Sequence, residues 1–599
     1  MLTLRVGVGE ATVATRSSSS LNIPVESRHM SLACSLWIGL VTSLLAVDRP
    51  PEVTSEKGMV VSVSPEASDA GLEILKQGGS AVDAAVAVAL SLAVTFPEAG
   101  NIGGGGFMMV WPAHAKGSDQ PAEPVCIDYR ETCPAALKRD SFVNERRQEG
   151  HHTIGVPGTV AGLALAHEKY GKLKWAQVVA PAICLAHEGF LIDAALASAL
   201  NRMAGPPTAN FPEFRRVFAK PGGGEWQAGD RLIQRELAQT MQTLAADGPD
   251  SFYRGRIAEQ IIAEMRAGGG FITHDDLAGY RAQVRKPVST SYRGCEIFAP
   301  PPPSAGGTQL MECLNILEQF DVKSLGAKSP QFAHLLVESM RRASCDRVRH
   351  MGDPDFMPIP LKLVSKDYAK QLGEQIDLSR ATRSESLAPD ITLTDEPPST
   401  THFSIVDGHG MAVANTYTLQ NSYGSRVVVR GAGFLLNNEL TDFNWRPGVT
   451  TTHGQVGTEP NVMAPGKRML SSQCPTLVSR DGKLLLVTGS PGGRTIPSTV
   501  LGVVVNVIDF NLSAREAVDA PRWHHQWLPD RVQFERRPDP DYAELLEQLQ
   551  QQGHLFSDDV KRLGDGYQRQ GDAHTILIRE GVLHGAADWR RTVGKAAGW

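Results

Sequence analysis

A threonine hydroxyl is a poor nucleophile at neutral pH and attacks a carbonyl only when a nearby base takes its proton. The threonines to weigh first are those the chain can hold rigidly. One stands in the stretch Pro397–Thr418, where two short alternating runs, His402–Val406 and Met411–Tyr417, flank Asp407-Gly408-His409-Gly410. That order predicts a hairpin, because Asp and Gly supply the positive φ of a tight turn. Thr400 then sits just before a strand, and Pro397 and Pro398 stiffen the approach from the other side. By itself the stretch also reads as a hairpin preceded by an exposed Ser/Thr loop.

Other candidate groups each have a plainer alternative. Arg130 follows the strand-like Cys126-Ile127-Asp128-Tyr129 and is a planar, permanently charged donor suited to a carboxylate, or else a surface or salt-bridge arginine. Glu439 and Asp442 offer paired acceptors for an ammonium, or are solvated loop acids. Ser471 and Ser472 are hydroxyl donors or turn formers. Gly492 and Gly493 permit close backbone approach to an oxyanion, or simply complete a Pro-Gly-Gly turn. The Gly103–Gly106 run lacks the Lys-Ser/Thr of a phosphate loop, so its glycines are expected to let the chain pass close to another backbone. His524 and His525 are adjacent on an extended segment and point to opposite faces, which argues against a shared metal.

The elements that position these groups are legible in outline. Met59–Ser64 reads as a strand, and Ser64-Pro65 opens a helix that stops at Gly78-Gly79. Ser80 opens a second helix, Ala81–Val94, apolar almost all round and therefore buried. A helix-rich region reaches about Tyr280 and includes Leu232–Ala246; Thr308–Phe320 and Pro330–His350 are further helices, read as packing elements. Asp377–Pro398 is polar and proline-bearing, as an exposed, cleavable linker would be. Strand Lys483–Thr488 leads into the Gly492-Gly493 turn, and Ser513-Ala514-Arg515-Glu516 is a capping box.

Pro-Ser-Thr-Thr-His-Phe-Ser-Ile-Val-Asp followed by Ala-Val-Ala-Asn-Thr-Tyr-Thr-Leu resembles the processing site and nucleophile strand of the γ-glutamyltransferases (glutathione hydrolases), a family of N-terminal-nucleophile hydrolases. The Arg130-Glu131-Thr132-Cys133-Pro134 motif, Gly433–Phe443, Ser471–Thr476, Gly489–Thr495 and the segment around Trp523-His524-His525-Gln526-Trp527 follow the family pattern in order, from about Met59 to about Trp589. The resemblance implies an α+β fold, an αββα four-layer sandwich built jointly by two fragments of one precursor. It implies a leader at 1–47, a large subunit at 48–399 and a small catalytic subunit at 400–599. The precursor cuts itself at Ser399–Thr400; Thr400 is the nucleophile, and its freed α-amino group, titrating near ~7.7–8.0, is the base. While the bond is intact that nitrogen is an amide and has no basicity to offer, so cleavage is activation.

By the same resemblance Thr418 supports the nucleophile, and the N–H groups of Gly492 and Gly493 form the oxyanion hole. Arg130, Ser471 and Ser472 hold the substrate α-carboxylate, and Glu439 and Asp442 its α-ammonium. Gln420 occupies a position where the family commonly has Asn, so its methylene rearranges those contacts. His453, in the lid loop Asn444–Arg468, stands where many members carry Tyr. The implied partners are glutathione and other γ-glutamyl compounds, with water, an amino acid or a dipeptide as acceptor. No metal or organic cofactor is implied. Two alternatives remain open: a related acylase acting on β-lactam side chains or poly-γ-glutamate, and an unprocessed non-enzymatic paralogue.

The chain has 599 residues, too many for one ordinary core, with 42% hydrophobic and 21% charged residues, as in a soluble globular protein. Its formal net charge of −6, with no long basic run, excludes a nucleic-acid footprint. Eight scattered cysteines form no CxxC pair, against a disulfide scaffold or zinc site. The apolar run Ser31–Val47, behind Arg16 and Arg28, resembles a secretory h-region and brushes the lower length of a membrane span. The expected location is secreted or periplasmic, with an N-terminal anchor as the alternative.

Overall fold

Fourteen strands form two seven-stranded sheets in the computed structural model, which describes residues 49–113, 123–388, 394–395, 400–451, 454–536, 539–557, 569–591 and 594–599. The expected leader at 1–47, Ser399 and His453 lie outside the described residues. In chain order the strands are β1 (Val53–Ser55), β2 (Met59–Ser62), β3 (Gly105–Trp111), β4 (Val125–Asp128), β5 (Gln283–Arg285), β6 (Val288–Tyr292), β7 (Cys295–Ala299), β8 (Thr401–Val406), β9 (Ala412–Thr418), β10 (Thr476–Arg480), β11 (Lys483–Thr488), β12 (Thr575–Arg579), β13 (Val582–Ala586) and β14 (Lys595–Gly598). One sheet runs β14-β2-β8-β9-β3-β4-β5, the other β1-β13-β12-β11-β10-β7-β6, and all pairings are antiparallel.

Three apolar cores define four layers. Helices α1 (Pro65–Lys76), α2 (Ala81–Thr95), α3 (Thr159–Tyr170), α4 (Trp175–Glu188) and α5 (Arg235–Asp247) cover the first sheet, where Val60, Met108, Val110, Phe403, Ile405, Val413 and Tyr417 meet them. Met59, Val61, Phe107, Met109, Ala412 and Ala414 point the other way, onto Leu477, Val487 and Ile576 of the second sheet. That split is the period-two alternation of a strand. Helices α6 (Ala305–Leu317), α7 (Pro330–His350) and α8 (Ile496–Ile508) close the far side through Ile297, Leu310, Val337, Val478, Leu486 and Val504. The αββα sandwich expected from the sequence is present.

Local signals explain most of these elements. Ser64 caps α1 with Pro65 at its first position, and Ser80 with Asp83 forms a capping box on α2, every residue of which is buried. Two boundaries differ from expectation. Helix α6 begins at Ala305 because the Ser304 hydroxyl accepts from Gly306 N at 3.3 Å, one turn before the apolar periodicity becomes obvious. Leu232 ends a two-residue strand, so α5 starts at Arg235. The Gly103–Gly106 run is where backbones touch: a Cβ on Gly104 would lie 2.0 Å from Thr418 O, and one on Gly103 2.2 Å from Leu435 O. Among the described residues no helix is long and apolar enough to cross a membrane.

Candidate active site

Strand β8 pairs with β2 on one side and β9 on the other, so it lies inside the sheet. Thr401 faces Tyr417; continuing that register by one residue sets Thr400 opposite Thr418. Phe403 and Ile405 point to the helices, so the even-numbered residues of β8, and Thr400 with them, belong to the face between the sheets. Thr400 is buried and its carbonyl accepts from Arg591 Nη1 at 3.3 Å. Behind it His402 donates to or accepts from Thr416 Oγ1 (2.8 Å) and Ser404 Oγ (3.1 Å), and burial, reinforced by His574, holds the ring far below its ordinary pKa and therefore neutral.

The opposite sheet brings the turn. Strand β11 ends at Thr488, and a Cβ on the next residue, Gly489, would strike the His402 ring at 2.3 Å, so only glycine lets the loop settle here. The chain then turns through Gly492 (φ +131°) and Gly493 (φ +58°) into α8. Both conformations disfavour any residue with a side chain. Gly493 forms part of the wall of the cavity that Thr400 and Thr418 line, and Gly492 sits one residue behind it.

The same cavity is lined by Arg130, Gln420, Asp442, Ser471 and Ser472. Gln420, at φ +80°, donates from Nε2 to Asp442 Oδ1 (2.6 Å), and its N–H donates to Thr418 Oγ1 (2.7 Å). The longer amide expected to disturb this corner thus reaches Asp442 directly. Ser471 Oγ accepts from Gln473 N (3.1 Å), and Ser472 Oγ accepts from Arg347 Nη2 (3.1 Å).

Arg130 is buried and makes four hydrogen bonds, from Nε to Met469 O (3.3 Å), from Nη1 to Glu131 (3.4 Å) and from Nη2 to Leu470 O (3.2 Å) and Asp442, while its Nη1 also lies 2.6 Å from Glu439 as an ion pair. Burial alone would lower its pKa, yet Glu439, Glu131 and Asp442 together push it above its ordinary value. Burial also raises Glu131, to about 8 against the pull of Arg130, and drives Glu439 well up. Glu439 is fully buried, pairs with Arg130 and is not among the residues lining the cavity, whereas Asp442 and Gln420 are.

Three groups at the site were missed by sequence reasoning. Arg347 lies on α7, a helix whose sequence reads as a packing element. Arg494 directly follows Gly493 and was overlooked beside it. Arg591 reaches Thr400 from the end of the chain, and no local pattern marks it. His524 and His525 go to separate partners, Ser498 Oγ (2.8 Å) and Asp530 Oδ1 (3.3 Å).

Two stacked antiparallel sheets between helix layers, with a threonine at the head of an interior strand and a glycine turn beside it, define a threonine-type N-terminal-nucleophile hydrolase. The family profile for gamma-glutamyltranspeptidase matches residues 67–599, and the chain belongs to that family. It is 43% identical over 596 residues to the glutathione hydrolase proenzyme of Escherichia coli K12, covering 96% of this chain and all of that one. Among solved structures it resembles a cephalosporin acylase from Bacillus halodurans (TM-score 0.79, 28% identity, 92% of this chain and 97% of the other). It also resembles a gamma-glutamyltranspeptidase from Helicobacter pylori (TM-score 0.51, 38% identity, 54% and 92%).

Proposed function

We propose that this enzyme cuts its own backbone at Ser399–Thr400 and then uses Thr400 to take the γ-glutamyl group from glutathione and related amides. The fragments are 48–399 and 400–599, preceded by the leader at 1–47, and the enzyme works outside the cytoplasm. Thr400 Oγ attacks the γ-carbonyl while its free α-amine takes the hydroxyl proton and passes it to the leaving nitrogen. Gly492 and Gly493 hold the oxyanion; losing one such donor costs on the order of 10²–10³ in rate. Thr418 fixes the backbone that carries Gln420. The γ-glutamyl ester is then released to water, or to an amino acid or dipeptide.

The observation that carries this reading is the single cavity in which Thr400 and Gly493 meet acceptors for an ammonium (Asp442, Gln420) and hydroxyls for a carboxylate (Ser471, Ser472). That polarity also favours an α-amino-acid acyl group over the β-lactam side chains of an acylase. The test is maturation with turnover: wild type should run as two chains in denaturing electrophoresis, the smaller beginning at Thr400, and release glutamate from a γ-glutamyl anilide. Thr400→Ala should stay full length and inactive. A small chain with another first residue, or a Thr400→Ala protein that still splits there, would overturn the proposal.

A further inference from the structure

The carboxylate end of the cavity holds more positive charge than Arg130 supplies. Arg130 stands among Glu131, Glu439 and Asp442 and hydrogen-bonds the carbonyls of Met469 and Leu470. Arg347, which also lines the cavity, is different. Its Nη2 donates to Ser472 Oγ at 3.1 Å, its Nε meets no hydrogen-bond acceptor, and no carboxylate among the described residues lies within ion-pairing distance of it. Arg494 lines the same cavity. Burial, and after it the charge of Arg494, lowers Arg347 to about 10 against the opposing pull of Asp442.

A serine hydroxyl has one proton to give and lone pairs to receive. Since Ser472 Oγ receives from Arg347 and Ser471 Oγ receives from Gln473 N, each hydroxyl has its own proton free to point into the cavity. An anion is what two such protons, beside an unanswered guanidinium, would hold.

We propose that Arg347 is a positioning residue of the carboxylate subsite: it sets Ser472 as a donor and adds its positive charge to that of Arg130. The inference rests on the γ-glutamyl reading and adds a residue to it.

Three anilides separate the possibilities: γ-glutamyl, glutaryl (carboxylate without amine) and 4-aminobutyryl (amine without carboxylate). Arg347→Gln should lower kcat/KM for the γ-glutamyl and glutaryl anilides by about 10- to 100-fold, mainly through KM, and so collapse their preference over the 4-aminobutyryl anilide. Ser472→Ala should do the same, and the double variant should be no worse than the poorer single one. Maturation into two chains reports that each variant has folded. If Arg347→Gln does not mature, Arg347→Lys, which keeps a charge and a donor, is expected to lose about 3- to 10-fold of the preference. An unchanged preference in whichever variant matures, equal losses on all three anilides, or additive losses in the double variant would each overturn the inference. Failure of the wild type to hydrolyse the γ-glutamyl anilide would instead overturn the function proposed above.

Discussion

Arg130 carries two duties whose losses are measurable apart. Removing one partner of a buried ion-pair cluster, here the guanidinium that Glu131, Glu439 and Asp442 surround, costs about 3–5 kcal/mol. Arg130→Gln should therefore lower the thermal midpoint and mature poorly. Arg130→Lys keeps a charge but cannot reach Glu439, Asp442 and two carbonyls at once, so it should mature and show a KM raised at least tenfold; unchanged kinetics would remove Arg130 from the site. Glu131 makes a pH prediction. Its carboxyl sits at about 8 in the folded protein, chiefly through burial, against an ordinary 4.5. Between those values the folded state holds a proton that the unfolded state has lost, so stability falls as pH rises through the window. Urea midpoints measured from pH 5 to 8 should decline in the wild type and be flatter in Glu131→Gln.

At the scale of elements, the glycines crowded against β9 decide whether the nucleophile strand can seat. Gly104→Ala would press a methyl into Thr418 O, costing about 1–3 kcal/mol, and should slow maturation visibly in a time course of the uncut band. A normal time course would show that the backbone here yields. Much of this was legible beforehand. The Asp-Gly turn, the Ser64 and Ser80 caps and the all-apolar α2 are local rules written in a few adjacent residues, and the Gly103–Gly106 reading as a close approach followed from a missing lysine. What stayed hidden is contact across long separations. Glu439 and Asp442 lie three residues apart on one short turn, yet one is buried against Arg130 and the other forms the cavity wall, and only the packed neighbour decides which. Arg347 was invisible for the same reason: on a helix that also buries Glu338, Arg341 and Arg342, nothing in the spacing separates a charge that serves a site from one that is internally paired.

For the whole molecule, the proposed division at 399/400 would run through both sheets. The first alternates residues from before and after that bond, with β8 and β9 between β2 and β3, and the second sets β10 to β13 between β1 and β7. The cut fragments are thus expected to remain one particle: gel filtration without denaturant should give a single peak containing both chains, and urea should separate them only where it also abolishes activity. Separation under mild conditions would contradict this sheet order.

Strand β2 lies between β8 and β14, the latter drawn from residues 595–598. A ribosome adding about 5–20 residues per second needs on the order of a minute to travel from one partner to the other. Throughout that time Thr400 has no finished seat, and premature scission would release two half-made pieces with open strand edges. The proposed scission is therefore expected to follow the pairing of those distant strands.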